Sequence, residues 1–329
     1  MFRINQLIPF ACLTIMGCGE AVDSSVSHQH PNQSSSATTD SLALPAHHQL
    51  ETIFINGVER EFIVFANPDL ASTKPTRLVV VLHGFLSGHQ PFLELTGFSD
   101  AAAKRADVLV VYPQGLEALP DGFEMAGTQW DVHWGTDTKD AEFLTAMIVQ
   151  LQNQYGLKPQ HTYLTGHSNG GYMSYLMACE VAEQVPVAAI APVGGNLPLS
   201  VQQRCDSNHD FAILHLHGRQ DHIVPIDGRP GFSASVQQAG AFFADKFGCQ
   251  SEPVSKQLPG ADGSLTPLLQ HYEYRNCREG AAVEQIIIDE MGHTWPGSAI
   301  DLYELDPYVG FTSYELNANG VILDFFERF

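Results

Sequence analysis

Ser168 stands in Gly166-His167-Ser168-Asn169-Gly170, a Gly-x-Ser-x-Gly spacing. A short apolar run, Tyr163 to Thr165, leads into it, and a helical pattern over Asn169–Glu183 follows at once. A serine on a sharp turn between strand and helix exposes its hydroxyl as a nucleophile. The free amides at the helix start then lie beside it. Gly166 and Gly170 suit a turn where backbones crowd. The plain alternative is a glycine-rich turn with a solvated serine, and three fixed positions arise readily by chance when glycine is about 7% of residues. The partners of the serine must decide.

Acyl transfer needs a base, an acid that orients it, and an oxyanion hole. After the apolar run Phe211–His217 comes Gly218-Arg219-Gln220-Asp221, which puts Asp221 just past a strand end. Asp227 competes, a turn further along. After Glu284–Asp289 comes Glu290-Met291-Gly292-His293, and His293 is the only histidine between that strand and the final helix. The order Ser168, Asp221, His293 is the one expected when each residue sits near the C-terminal end of a strand. Neutral His293 would take the Ser168 proton, and Asp221 would hold the imidazole's tautomer. The backbone amides of Asn169 and Phe85, the latter in His83-Gly84-Phe85-Leu86-Ser87-Gly88, are the expected oxyanion donors. Each of these residues also has a bland reading: a turn-forming Asp, a surface His, a tight turn at His83-Gly84.

The elements that must position them alternate. Glu51–Asn56 and Glu61–Phe65 predict a hairpin about Gly57; Arg77–Leu82 and Asp107–Tyr112 predict strands buried on both faces. Val187–Pro192, Phe211–His217 and Glu284–Asp289 continue the series. Helical spacing covers Ser99–Arg105, Thr136–Tyr155, Ser235–Phe247 and Asn317–Phe326. The pattern predicts one α/β domain with a mainly parallel central sheet flanked by helices.

Several blocks occur in a fixed order: Leu82-His83-Gly84, Tyr112-Pro113-Gln114-Gly115, Gly166 to Gly171 with Ala178-Cys179-Glu180, His217-Gly218 through Asp221 to Val224-Pro225, and Gly292-His293-Thr294-Trp295-Pro296-Gly297. As a set, across residues 50–329, they resemble the bacterial polyhydroxybutyrate-depolymerase and feruloyl-esterase family of α/β-hydrolases. The resemblance implies an α/β-hydrolase fold and a serine esterase without a metal or other cofactor. The family's serine, aspartate and histidine fall on Ser168, Asp221 and His293. It implies cleavage of polyester or oligoester bonds, with feruloyl or acetyl-xylan esters of plant polysaccharide as the alternative. A peptidase and an inactive surface binding protein are the weaker readings. Trp130, Trp134 and Trp295 are candidates for contact with substrate, though aromatics on a loop often only pack it down. Acidic residues at the expected mouth (Asp131, Asp137, Asp140) favour a neutral ester.

The 329 residues carry a formal net charge of -21, which disfavours nucleic acid and anionic membrane surfaces as partners. Residues 1–18 read as a signal peptide: Arg3 leads a short apolar stretch, and Ile15-Met16-Gly17-Cys18 resembles a bacterial lipoprotein box, with Cys18 the lipidated residue. Residues 19–46 are polar enough to be a disordered tether, and 47–329 is the expected catalytic domain. An export leader with Cys179, Cys205, Cys249 and Cys277 suggests disulfides. Sequence neighbours are the expected pairs, Cys179 with Cys205 and Cys249 with Cys277; zinc is the alternative, without a Cys-x-x-Cys spacing. The expectation is an extracytoplasmic monomer, touching membrane only through the lipid.

Overall fold

A strand that is apolar on both sides needs both faces covered. The computed structural model describes residues 44–67, 74–117, 128–132, 139–205, 209–300 and 306–329. The leader, Cys18 and nearly all of the expected tether lie outside the described residues. Strands β1 (His48–Ile55) and β2 (Val58–Ala66) form the expected hairpin. Next come β3 (Arg77–Leu82), helices α1 (His89–Thr96) and α2 (Phe98–Ala102), and β4 (Val108–Pro113). A small ribbon of β5 (Leu116–Glu117) and β6 (Thr128–Gln129) precedes α3 (Lys139–Tyr155). The chain continues through β7 (Thr162–His167), α4 (Asn169–Glu180), β8 (Ala189–Val193), α5 (Leu199–Gln203), β9 (Ala212–Gly218) and α6 (Val236–Lys246). It ends with β10 (Val254–Pro259), β11 (Leu265–Tyr274), β12 (Ala282–Ile288), α7 (Asp306–Val309) and α8 (Ala318–Phe326).

Ten strands make one sheet in the order β1-β2-β4-β3-β7-β8-β9-β12-β11-β10. The run from β4 to β12 is parallel throughout, and antiparallel pairs extend it on both flanks. Alternate side chains of β3 go to opposite layers. Leu78, Val80 and Leu82 join the core under α3, α4 and α6; Val79 and Val81 join the one under α1, α2 and α8. That alternation within a continuous apolar run is what a doubly covered strand requires.

The structure departs from the sequence reading in several places, among them the short elements β5, β6, α5 and α7, which were not expected. Helix α2 covers only Phe98–Ala102, and α1 precedes it where no helix was expected. Strands β10 and β11 were not expected at all. β10 is an exposed edge strand, and β11 has polar residues at inward positions, so neither shows an apolar run. One such residue, His271, pairs its Nε2 with Glu284 Oε2 at 2.8 Å. Among the described residues the disulfides are Cys179–Cys205 and Cys249–Cys277, the expected pairs.

Candidate active site

Strand β7 delivers Ser168 to the C-terminal edge of the parallel strands. Ser168 has φ 55° and ψ −116°, a region that non-glycine residues rarely occupy. The backbone packing around it leaves no room for side chains. A Cβ on Gly170 would lie 2.2 Å from the Leu82 carbonyl oxygen; one on Gly166 would lie 2.7 Å from the same atom. The two motif glycines therefore let the turn press against the end of β3. Ser168 N–H donates to the Val193 carbonyl at 2.9 Å, tying the turn to β8.

The Asp221 loop leaves β9. Asp221 Oδ1 accepts from the amides of Ile223 (3.0 Å) and Val224 (2.7 Å), and Oδ2 accepts from His293 Nδ1 at 2.6 Å. Asp227 is exposed and belongs to a different cleft, with Arg219 and Tyr272. Three successive carbonyls of the loop are each taken by a side chain. Arg229 donates to Ile223 O (2.6 Å), His217 Nε2 to Val224 O (2.8 Å) and Asn196 Nδ2 to Pro225 O (2.8 Å). The His293 loop leaves β12 and is held by backbone: Gly292 N–H donates to Phe311 O and His293 N–H to Val309 O. His293 is 7% exposed, and its ring lies 4.5 Å from that of His167, centroid to centroid. Burial pushes His167 well below the usual histidine value, so it is a neutral neighbour.

Because His293 gives its Nδ1 proton to Asp221, its Nε2 is the basic nitrogen. Among the described residues Ser168 Oγ makes no hydrogen bond to His293. Such contacts are often long before substrate binds.

The loop after β3 is pinned from below. His83 is fully buried, and burial lowers its pKa to about 4, so the ring is neutral. Its Nε2 accepts from Gly115 N–H, which leaves the proton on Nδ1 to bond the Gly84 carbonyl. Trp130 Nε1 donates to His83 O at 2.9 Å, and the Asn169 side chain brackets Trp130 by accepting from its N–H (2.6 Å) and donating to its carbonyl (3.0 Å). Among the described residues the amides of Phe85 and Asn169 donate to no other group.

Two of the three tryptophan expectations need correction. Trp130 is 1% exposed and supports the His83 loop. Trp295 has no exposed surface; its Nε1 donates to Asn319 and its ring meets Phe92 edge-on. Neither offers a face to a ligand. Trp134 and Asp137 lie outside the described residues. Asp140 is also not at a mouth: it is buried in an ion pair with Arg60 at 2.6 Å and accepts from Asp131 N–H. Burial raises its pKa despite the arginine. Exposed aromatics on neighbouring segments include Phe85 on the β3 loop, Phe311, whose carbonyl accepts from Gly292 beside His293, and Phe232, which meets Tyr172, one turn past Ser168, edge-on at 6.0 Å. Tyr172 was not singled out from sequence; its place at Ser168 plus four, on the next turn of the helix, is the signal that could have found it. His217, Asn196 and Arg229 carry no such spacing signal.

With this geometry, comparison with known proteins is decisive at the level of family. The sequence model of the phospholipase/carboxylesterase α/β-hydrolases matches residues 69–241. The chain belongs to that family. It is a serine ester hydrolase of α/β-hydrolase fold. It is 26% identical over 292 residues to the putative esterase NocK of Nocardia uniformis, spanning 83% of this chain and 80% of that one. It is 27% identical over 220 residues to the probable feruloyl esterase C of Aspergillus niger, 64% of this chain and 69% of the relative. A bifunctional acetylxylan esterase/xylanase of Neocallimastix patriciarum is 25% identical over 254 residues, 77% of this chain but 33% of that longer protein. The solved acetyl xylan esterase of Aspergillus awamori shares the fold with a TM-score of 0.56 and 15% identity, covering 80% of this chain and 100% of its own.

Proposed function

We propose that this esterase hydrolyses feruloyl or acetyl esters of plant polysaccharide through Ser168, His293 and Asp221. The observation that carries the mechanism is the 2.6 Å bond from His293 Nδ1 to a buried Asp221, beside a serine at φ 55°. Ser168 Oγ attacks the ester carbonyl while His293 Nε2 takes its proton. The oxyanion is met by the amides of Phe85 and Asn169, each worth about 3–4 kcal/mol of transition-state stabilisation. The tetrahedral intermediate collapses, the C–O bond to the alcohol breaks, and His293 returns the proton to the leaving oxygen. Water, deprotonated by His293, then attacks the acyl-Ser168 ester; the Oγ–acyl bond breaks, Ser168 Oγ takes the proton back from His293, and the acid leaves.

The relatives named above favour polysaccharide esters over the polyester reading, which stays the alternative. The exposed Phe85 and the Tyr172–Phe232 pair would give an aromatic acyl group an apolar wall. Two disulfides suit an oxidising, extracytoplasmic compartment. A lipoprotein leader at 1–18 with Cys18 lipidated, a tether at 19–46 and a monomeric catalytic domain complete the proposal.

Ser168→Ala is expected to lower kcat on p-nitrophenyl acetate by at least about 10⁴-fold; survival within tenfold refutes the mechanism. Methyl ferulate, acetylated xylan and hydroxybutyrate oligomers, assayed side by side, choose the substrate. Preference for the oligomers would overturn the polysaccharide reading.

A further inference from the structure

Behind Asp221 lies a buried file of polar rings that the mechanism above does not use. Tyr175 Oη is 2.8 Å from His215 Nδ1, His215 Nε2 is 2.9 Å from His217 Nδ1, and His217 Nε2 is 2.8 Å from the Val224 carbonyl oxygen. None of the three side chains is more than 1% exposed.

The direction of every proton follows from the last contact. A carbonyl only accepts, so His217 carries its proton on Nε2. Burial lowers the pKa of both histidines, so each ring is neutral and has one proton. His217 Nδ1 is then an acceptor, and His215 must donate from Nε2. His215 Nδ1 is an acceptor in turn, and Tyr175 must donate. The file has one polarity, pointing from Tyr175 toward Asp221, and a chain of aligned donors strengthens its final donor.

That donor acts twice. It holds the carbonyl of Val224, whose own N–H holds Asp221 Oδ1. It also lies 3.6 Å from Asp221 Oδ2, the oxygen that accepts from His293. Among the described residues the ionisable groups acting on His217 are Asp221, His293, His215 and His167, with no lysine or arginine among them.

We propose that His217 is a positioning residue for the Asp221–His293 pair, and that Tyr175 and His215 lock it in the tautomer that donates from Nε2. The inference rests on the proposed roles of Asp221 and His293. His217 touches no reacting atom. It keeps the Asp221 turn closed and presents a fixed N–H dipole to the carboxylate, so that Oδ2 stays aimed at His293.

The test uses the purified chain and p-nitrophenyl acetate. A misplaced catalytic group costs about 100-fold, so His217→Leu is expected to lower kcat about 30- to 100-fold with KM within about threefold. His217→Gln, which keeps an amide donor near the Nε2 position, is expected to recover kcat to within about tenfold of the parent. Tyr175→Phe, which removes only the locking hydroxyl, is expected to lower kcat about three- to tenfold at unchanged KM. A folded His217→Leu enzyme with kcat within threefold of the parent overturns the proposal. Equal losses in the leucine and glutamine variants also overturn it, because packing alone would then be at stake. If the leucine variant does not fold, Tyr175→Phe decides, and parental kcat there refutes the lock. Ser168→Ala separates the two levels: an active Ser168→Ala enzyme removes the underlying mechanism, whereas an inactive one beside an unaffected His217→Leu removes only this inference.

Discussion

The turn carrying Ser168 and the loop carrying Asp221 both converge on His293, yet different forces hold them. The serine turn is set by backbone against backbone: β3, β7 and the start of α4 approach so closely that Gly166 and Gly170 admit no Cβ. The aspartate loop has three consecutive carbonyls held by Arg229, His217 and Asn196, and its carboxylate bonds its own amides. Steric crowding is steep and all-or-none, whereas a hydrogen bond is worth about 1 kcal/mol net and can be lost singly. The serine turn should therefore fail abruptly and the aspartate loop by degrees.

Gly170→Ala is the harshest test of that contrast. A Cβ facing the Leu82 carbonyl at 2.2 Å must displace β3 or the turn. The expected outcome is at least about a 100-fold loss of kcat, with a lower thermal midpoint if the variant folds at all. An enzyme within threefold of the parent would break the comparison. Asn196→Ala removes one of three carbonyl clamps and is expected to cost about 1–2 kcal/mol and about tenfold in kcat, read by thermal melts and steady-state rates. Losses as large as those of Gly170→Ala would show that the loop is equally brittle.

The mildest effect is that of pH on stability. Burial lowers the pKa of His83, His167, His215 and His217 below the ordinary value of 6.5. Unfolding frees them to take up protons, so below pH 6.5 the unfolded state binds more protons than the native one. Stability is then full above about pH 6.5 and falls as pH drops toward the folded values, which for His83 is about 4. The thermal midpoint should drop between about pH 7 and pH 5, and less steeply in Tyr175→Phe/His215→Phe, which removes one buried imidazole. A flat profile would show that these rings are not buried neutral.

The same contrast explains what could be read from sequence. Gly166, Ser168 and Gly170 are legible because steric need leaves a fixed spacing. Ser168, Asp221 and His293 are legible because catalysis on this sheet imposes an order and a place at strand ends. The buried strands showed as unbroken apolar runs. Side-chain clamps leave no such trace: Asn196, Arg229 and His217 are set by where loops meet in space. Trp130 and Trp295 misled for the same reason, since an aromatic on an active-site loop looks alike whether it faces a ligand or the core. Strands β10 and β11 were hidden by polar and proline-bearing sequence at a sheet edge.

Strand β7 is the fifth of ten in the sheet, with four neighbours on one side and five on the other. The edges are the antiparallel strands β1 and β10. Fraying begins at such edges, where amides open to solvent without disturbing the centre. The amides of Tyr163 to Gly166 should then be among the slowest in the molecule to exchange with deuterium, opening only when the whole domain unfolds. The residue that meets substrate would ride on the least mobile backbone in the protein, and local breathing at either rim would leave its alignment untouched.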